Sequence, residues 1–98
     1  MARAARRVRL RLLIVEDEPK VAAALGRGLV GEGFDVIIED TGRGALLRLS
    51  RDPFDAIVLD LTLPDRDGLD VLRQVRARGT TPPVLALTAR DSVAERVR

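Results

Sequence analysis

The chain has 98 residues, which is enough for one small domain with its own hydrophobic core. It contains no cysteine and no histidine, which excludes disulfide bonds, thiolate metal sites and imidazole catalysis and leaves carboxylates and hydroxyls for any chemistry. The 17 basic and 15 acidic residues give a net charge of +2, too balanced to indicate nucleic-acid binding.

The basic residues are unevenly distributed. Five arginines lie in the first eleven residues, so the rest of the chain carries 12 basic and 15 acidic residues. We expect residues 1–9 to form a flexible basic leader and residues 10–98 to form the folded domain. No apolar run is long enough to span a bilayer and no signal-type apolar core follows the leader, so we expect a cytoplasmic protein with no membrane segment.

The first two predicted elements are a strand and a helix. Residues 10–15 are rich in leucine, isoleucine and valine, and they end at an acidic run, Glu16-Asp17-Glu18, followed by proline. Pro19 suits the first turn of a helix, and glycines at positions 31 and 33 indicate its end. The expected core-facing stripe of this helix is Val21, Leu25 and Leu29.

A second strand and helix follow. Residues 34–39 alternate imperfectly, with Phe34, Val36 and Ile38 on one face, which is typical of a strand near a sheet edge. Turn and cap residues precede a helix from about Arg43 that ends before Pro53, because the residue before proline disfavours helical geometry. The residues expected to point inward are Ala45, Leu46 and Leu49.

The second half of the chain repeats this order. Residues 54–60 predict a buried strand that ends in Asp60, and a turn-rich loop leads into a third helix ending near Gly79. Residues 84–88 predict a fourth strand, and Asp91 or Ser92 can cap the start of a fourth helix. The positions expected to recur with helical spacing along the third helix are Leu69, Leu72 and Val75 or Arg76.

Strands that alternate with helices predict an α/β fold with a doubly wound parallel sheet. In such a sheet the first and third strands lie side by side, and ligands bind at the carboxyl ends of the strands. This order brings Glu16, Asp17 and Asp60 to one crevice, with Thr88 on the same rim. Converging carboxylates favour a hard cation such as Mg²⁺, and an aspartate beside it can act as a nucleophile toward phosphorus.

Two segments resemble the receiver domain of two-component response regulators. The first is Leu12-Leu13-Ile14-Val15-Glu16-Asp17-Glu18-Pro19, and the second runs from Val58-Leu59-Asp60 through Asp67-Gly68. The segment Leu87-Thr88-Ala89-Arg90-Asp91 is similar to the OmpR-type subgroup, whose members usually carry a DNA-binding domain after the receiver. The resemblance implies a flavodoxin-like sheet with strand order 2-1-3-4, followed in the family by a fifth strand and helix that this chain does not contain.

The resemblance also implies roles for individual residues. Asp60 would be the phosphoacceptor, Asp17 a direct Mg²⁺ ligand, and Glu16 an acidic partner acting mainly through water. The backbone carbonyl of Thr62 would be a further metal ligand, and Thr88 would be the switch hydroxyl. The implied partner is a sensor histidine kinase, and the implied output is a process such as transcription, although no DNA-binding domain lies in this chain.

The family's fifth strand ends in a lysine that contacts the phosphoryl group, and this sequence stops before it; its one lysine is Lys20. Without that cation we expect weaker phosphoryl transfer. The apolar fourth strand would form an exposed edge that favours self-association or strand exchange.

The sequence leaves two alternative functions open. One is a receiver-fold binding or dimerisation module that is not phosphorylated. The other is an aspartate-nucleophile phosphatase of the haloacid-dehalogenase type, which would need a second aspartate where this chain has Thr62. We expect no enzymatic turnover.

Overall fold

The computed structural model describes residues 9–63, 68–79 and 82–87. These residues form four strands and three helices in strict alternation. In chain order they are β1 (Arg11–Val15), α1 (Pro19–Gly31), β2 (Asp35–Glu39), α2 (Gly42–Arg51), β3 (Ala56–Asp60), α3 (Gly68–Ala77) and β4 (Val84–Leu87). The first three strands start one or two residues later than the sequence patterns predict, because Leu10, Phe34, Phe54 and Asp55 belong to the connections, whereas β4 starts at Val84 as predicted.

All four strands are parallel and pair in the order β2-β1-β3-β4. The predicted α/β fold with strand order 2-1-3-4 is therefore confirmed. Strand β1 is central and is buried along nearly its whole length, as its uninterrupted apolar sequence indicates. The order places the ends of β1 and β3 next to each other, which is the arrangement that positions the acidic residues.

The larger part of the core lies between the sheet and helices α2 and α3. Leu13 and Val15 of β1 and Ile57 and Leu59 of β3 point to this side, as the two-residue period of a strand requires. Four helical residues pack on them, namely Ala45, Leu46, Val71 and Val75. The inward positions predicted for α2 are confirmed for Ala45 and Leu46, and Leu49 is partly buried against the same cluster.

Helix α1 covers the other side of the sheet through different residues from those predicted. Its buried residues are Ala22 and Gly26, whereas Val21 is 43% exposed and Leu25 and Leu29 are only partly buried. A Cβ atom at position 26 would lie 3.4 Å from the Ile38 side chain, so small residues let this helix approach β2 closely. The predicted stripe was wrong at Val21, because the close approach turns the small residues toward the sheet.

The predicted inward face of α3 is confirmed at Val75, and Leu72 is partly buried against the same core, but the prediction was wrong at Leu69. Leu69 is 47% exposed, and the buried residues are Gly68, Val71 and Val75. Gly68 packs against the backbone that follows β3, and this contact fixes the rotation of the helix. Gly79 has a φ of 95°, a left-handed conformation that favours glycine, and it follows the helix end as predicted.

Helix α2 shows how local sequence fixes an element's ends. The Thr41 side chain caps it by accepting a hydrogen bond of 3.0 Å from the Gly44 N–H. Near its other end, Arg48 makes ion pairs with Glu39 at 2.9 Å and Asp52 at 3.6 Å. The helix ends at Arg51, two residues before Pro53, as predicted.

Three sequence predictions fall outside the described residues. They concern residues 1–8 of the basic leader, the Thr88 hydroxyl and the fourth helix. In the parts of the chain that are described, none of the helices combines the length and the apolar character that crossing a bilayer requires.

Candidate functional site

The candidate site lies where β1 and β3 end. Val15 pairs with Leu59, so Glu16 follows β1 directly beside Asp60, the last residue of β3. Glu16, Asp17 and Asp60 can each contribute one carboxylate oxygen, and these oxygens all lie within 4.8 Å of one another. The structure therefore brings together the three carboxylates that the sequence placed at this crevice.

Asp60 is only 5% exposed, and its carboxylate is held by the turn that follows β3. Its Oδ1 atom accepts a hydrogen bond from the Thr62 N–H and another from the Thr62 hydroxyl, each 3.0 Å long. Hydrogen bonds to an ionised carboxylate are stronger than those to neutral acceptors, so this pair fixes the orientation of the side chain. The family resemblance implies a role for the backbone carbonyl of Thr62, whereas the hydrogen bond from its side chain to Asp60 was not predicted.

Glu16 is 9% exposed and is fixed at both ends. Its backbone N–H donates to the Glu39 carbonyl at 3.0 Å, and its Oε2 atom accepts from the Glu18 N–H at 3.0 Å. Burial raises the pKa of Glu16 above its ordinary value, the hydrogen bond from Glu18 opposes that rise, and the negative charge of Asp60 adds to it. A cation bound at the crevice would offset the repulsion between these negative groups.

Asp17 completes the cluster from the solvent side, since it is exposed whereas its two partners are buried. Mg²⁺ prefers oxygen ligands and usually retains several water molecules while binding one or two carboxylates. Two sheltered carboxylates and one that water reaches match that preference. The residues present therefore fit Mg²⁺ by the chemistry of their donor atoms.

The end of β4 lies beside the same site. Asp60 is in register with Leu87, and the Leu61 N–H donates to the Leu87 carbonyl at 2.8 Å. Thr88, the predicted switch residue, follows Leu87 directly but lies outside the described residues. Its role stays a prediction, as does metal ligation by the Thr62 carbonyl.

Gly68 contributes to the site through a close backbone contact that the sequence did not predict. A Cβ atom at this position would lie 2.5 Å from the Leu61 Cα and 2.8 Å from the Asp60 carbonyl oxygen. The Gly68 N–H also donates to the Leu61 carbonyl at 3.2 Å. The first turn of α3 is thus packed on the backbone that carries Asp60. In the sequence this glycine is equally well explained as one more turn former, so no local signal distinguishes the close contact.

Comparison with known proteins identifies the family of this chain. Residues 12–98 match the family model described as the response regulator receiver domain. Response regulator MprA of Mycolicibacterium vanbaalenii is 47% identical over 88 residues, covering 90% of this chain and 38% of that protein. The transcriptional regulatory protein QseB of Escherichia coli O157:H7 is 44% identical over 88 residues, covering 90% of this chain and 40% of that protein. The chain thus spans about two fifths of the length of these relatives.

Solved structures show the same fold. The receiver domain of Klebsiella pneumoniae RstA, activated with beryllofluoride, superimposes with a TM-score of 0.79 at 30% identity, covering 87% of this chain and 72% of that one. Response regulator TrrA of Thermotoga maritima, in complex with Mg²⁺ and beryllofluoride, gives a TM-score of 0.82 at 27% identity, covering 90% of this chain and 76% of that one. Fold, acidic site and sequence match agree, and the chain belongs to the response regulator receiver domain family.

Proposed function

We propose that this chain accepts a phosphoryl group on Asp60, with Mg²⁺ held by Glu16, Asp17 and Asp60. The observation that carries the proposal is the cluster itself, in which three carboxylate oxygens lie within 4.8 Å of one another around a buried aspartate. Such an arrangement is electrostatically unfavourable without a cation, and a cation at this place can neutralise the oxygens of a phosphoryl group. The complex of TrrA with Mg²⁺ and beryllofluoride supports the same chemistry in a relative.

The protein's own groups have distinct tasks in this proposal. An oxygen of the Asp60 carboxylate, which is buried at the end of β3, is the nucleophile. The Thr62 amide and hydroxyl both donate hydrogen bonds to Asp60 Oδ1 and so fix the orientation of that carboxylate. The Glu18 N–H keeps Glu16 oriented toward the site. Mg²⁺, when bound, supplies the positive charge that offsets the negative charge of the carboxylates and the phosphoryl oxygens.

We further propose that the phosphoryl donor is a sensor histidine kinase and that the chain works in the cytoplasm. The regulated output is a process such as transcription, as the name of the relative QseB indicates for that protein. These proposals rest on membership of the family.

The test is titration of the ¹⁵N-labelled chain with Mg²⁺ and then with beryllofluoride, a mimic of the phosphoryl group, followed by NMR. We expect the amide signals of residues 16, 17 and 60–62 to shift with Mg²⁺ and to shift again with beryllofluoride. Asp60→Asn should abolish the second set of shifts, because it removes the carboxylate that the mimic binds.

Asp55→Asn is the matched control, since Asp55 precedes the same strand but lies at its opposite end, where its carboxylate accepts a hydrogen bond from the Arg11 N–H at 2.7 Å. This variant should respond like the wild type. An unchanged wild-type spectrum at millimolar Mg²⁺ and beryllofluoride would contradict the phosphoacceptor proposal and favour a binding module that is not phosphorylated.

We propose in addition that the chain is not itself an enzyme. Hydrolysis of a generic phosphate monoester that disappears in Asp60→Asn would contradict this and would support the phosphatase alternative. Thr62 occupies the position where that alternative needs a second aspartate.

A further inference from the structure

A cavity of about 400 Å³ lies at the end of the sheet opposite the acidic cluster, where β3 and β4 begin. It opens between the C-terminal ends of α2 and α3, and its apolar walls include Leu49, Phe54 and Val75. A cavity of this size can accommodate a long side chain or a small molecule. None of the residues of the acidic cluster lines it, so a ligand bound here would be separate from the phosphoryl chemistry.

The polar groups of this cavity favour a cation. Asp52 and Asp55 contribute two carboxylates to the lining, against one guanidinium group from Arg78, whose Nη1 atom donates to the Leu46 carbonyl at 3.4 Å. Because α2 and α3 both end here, the negative ends of their dipoles add to the attraction of positive charge. A ligand with a cationic head and an apolar stem would match both parts of the lining.

The chain enters the fold beside the cavity. The Arg11 N–H donates to the Asp55 carboxylate at 2.7 Å, and the Arg11 guanidinium carbon lies 5.0 Å from the centre of the Phe54 ring. Arg11 thus contacts two residues that line the cavity. An extended chain advances about 3.3 Å per residue, so the arginines at positions 6 and 7 start within about 17 Å of Arg11.

We propose that this cavity binds an arginine side chain, Arg6 or Arg7, from residues 1–8 of the same chain. That segment carries three arginines and no acidic residue, which complements the excess of carboxylates in the lining. The apolar walls would cover the methylene groups of the arginine, and the guanidinium group would face the carboxylates. A ligand tethered by a few residues is present at a high effective concentration, so a contact that is weak by itself is sufficient.

Binding at this cavity would hold the basic leader against the ends of α2 and α3, in place of the free leader that its composition predicts. The inference does not depend on the proposed phosphoacceptor function, because the cavity and the acidic cluster lie at opposite ends of the sheet.

The test places a spin label in the leader. The chain has no cysteine, so Ala4→Cys gives one site for a nitroxide label in the full chain. We expect the label to broaden the amide signals of residues 52–55 and 75–78 in the ¹⁵N spectrum. Adding Arg6→Gln and Arg7→Gln together should restore about twofold or more of the lost intensity, because these substitutions remove the cations that bind.

Asp55→Asn and Glu32→Gln form a matched pair. Asp55→Asn removes a carboxylate from the cavity but keeps an oxygen that can accept from the Arg11 N–H, and it should reduce the broadening. Glu32→Gln removes the same charge from an exposed position at the end of α1, on the other side of the sheet, and should leave the broadening unchanged. Circular dichroism establishes that each variant is folded, and the leader variant alone decides the question if Asp55→Asn is not.

Equal broadening with and without the leader arginines overturns the inference, as does an equal loss of broadening in Asp55→Asn and Glu32→Gln. A mixture of spin-labelled chain at natural isotope abundance with unlabelled ¹⁵N chain identifies the source of the leader. Broadening at the cavity in that mixture, equal to that within one chain, would assign the cavity to the leader of a second copy and overturn the inference.

Discussion

At the scale of single residues, the site depends on carboxylates that differ in their access to water. Asp60 and Glu16 are sheltered and are held by amide and hydroxyl donors, while Asp17 stays exposed. A sheltered carboxylate close to another negative charge makes folding less favourable once it is ionised. This cost has a measurable dependence on pH and on the metal.

Because the pKa of Glu16 is raised, we predict that ionisation of Glu16 destabilises the metal-free protein as the pH rises. The folded chain keeps the Glu16 proton to a higher pH than the unfolded chain, whose pKa is near the ordinary 4.5. The free energy of unfolding therefore falls as the pH rises from about 4.5 to the raised pKa. Glu16→Gln has no carboxyl proton to lose at this position, so its stability relative to the wild type should increase across that window.

Urea unfolding in EDTA at several pH values between 4 and 8 measures this difference, because subtraction of the two profiles cancels the other carboxylates. Mg²⁺ at neutral pH should stabilise the wild type more than the glutamine variant. A constant difference between the two proteins across the window would contradict the expected role of Glu16.

Asp17 gives a second prediction at this scale. Asp17→Asn removes a full negative charge from the cluster and should weaken Mg²⁺ binding by about tenfold or more, equivalent to at least ~1.4 kcal/mol. Isothermal titration calorimetry measures the affinity directly. Glu18→Gln is the control, since Glu18 is an exposed neighbour whose backbone N–H, not its side chain, holds Glu16. Equal weakening in both variants would show that only the general charge matters.

At the scale of elements, the first turn of α3 is coupled to the strand that carries Asp60. Gly68→Ala would place a Cβ atom within 3 Å of the backbone of residues 60 and 61, so either the helix or the Asp60 turn must move. Forcing an extra methyl group into such a contact costs about 1–3 kcal/mol. We expect this loss of stability together with weaker Mg²⁺ binding.

Gly28→Ala is the matched control for this prediction. Gly28 lies within α1, where an added Cβ meets nothing within 4 Å. Replacing a glycine with alanine in an exposed helix interior should stabilise the protein by about 0.5–1 kcal/mol. Chemical denaturation measures the free energy of unfolding of both variants, which should fall for Gly68→Ala and rise for Gly28→Ala. A Gly68→Ala protein as stable as the wild type would contradict the tight contact.

At the scale of the whole molecule, β4 is an outer strand of the sheet in the described residues, and it carries an exposed apolar residue. Strand β4 pairs with β3, and Leu85 is 58% exposed, while its neighbour Val84 packs on the core. Apolar strands at a sheet edge favour pairing with a second chain. We therefore expect the chain to self-associate through β4, as its sequence predicts.

Sedimentation velocity at increasing concentration tests this expectation. Leu85→Lys should shift the distribution toward the monomer, because a charge on the edge strand disfavours pairing. Leu47→Lys is the control, since Leu47 is 56% exposed on α2 and loses a similar apolar surface at another place. A wild-type chain that stays monomeric throughout, or equal effects of the two substitutions, would rule out β4 as the interface.

The sequence by itself determined the order of strands and helices and the positions of Glu16, Asp17 and Asp60. These features depend on local patterns: apolar runs that stop at carboxylates, prolines and glycines that end elements, and an alternation that leaves a parallel sheet as the natural arrangement. The strand neighbours then follow, and with them the meeting of the acidic residues at one edge.

Only the tertiary structure decided which way the helices face and how Asp60 is held. Ala22 and Gly26, and not Val21, turn toward the sheet, Gly68 packs on the backbone beside Asp60, and the Thr62 hydroxyl turns back onto its carboxylate. The helix orientations and the Gly68 contact depend on how closely distant segments approach, and the Thr62 bond depends on the conformation of a single turn. Hydrophobic periodicity records which residues are apolar but not those distances or that conformation, so these details became visible only once the chain was folded.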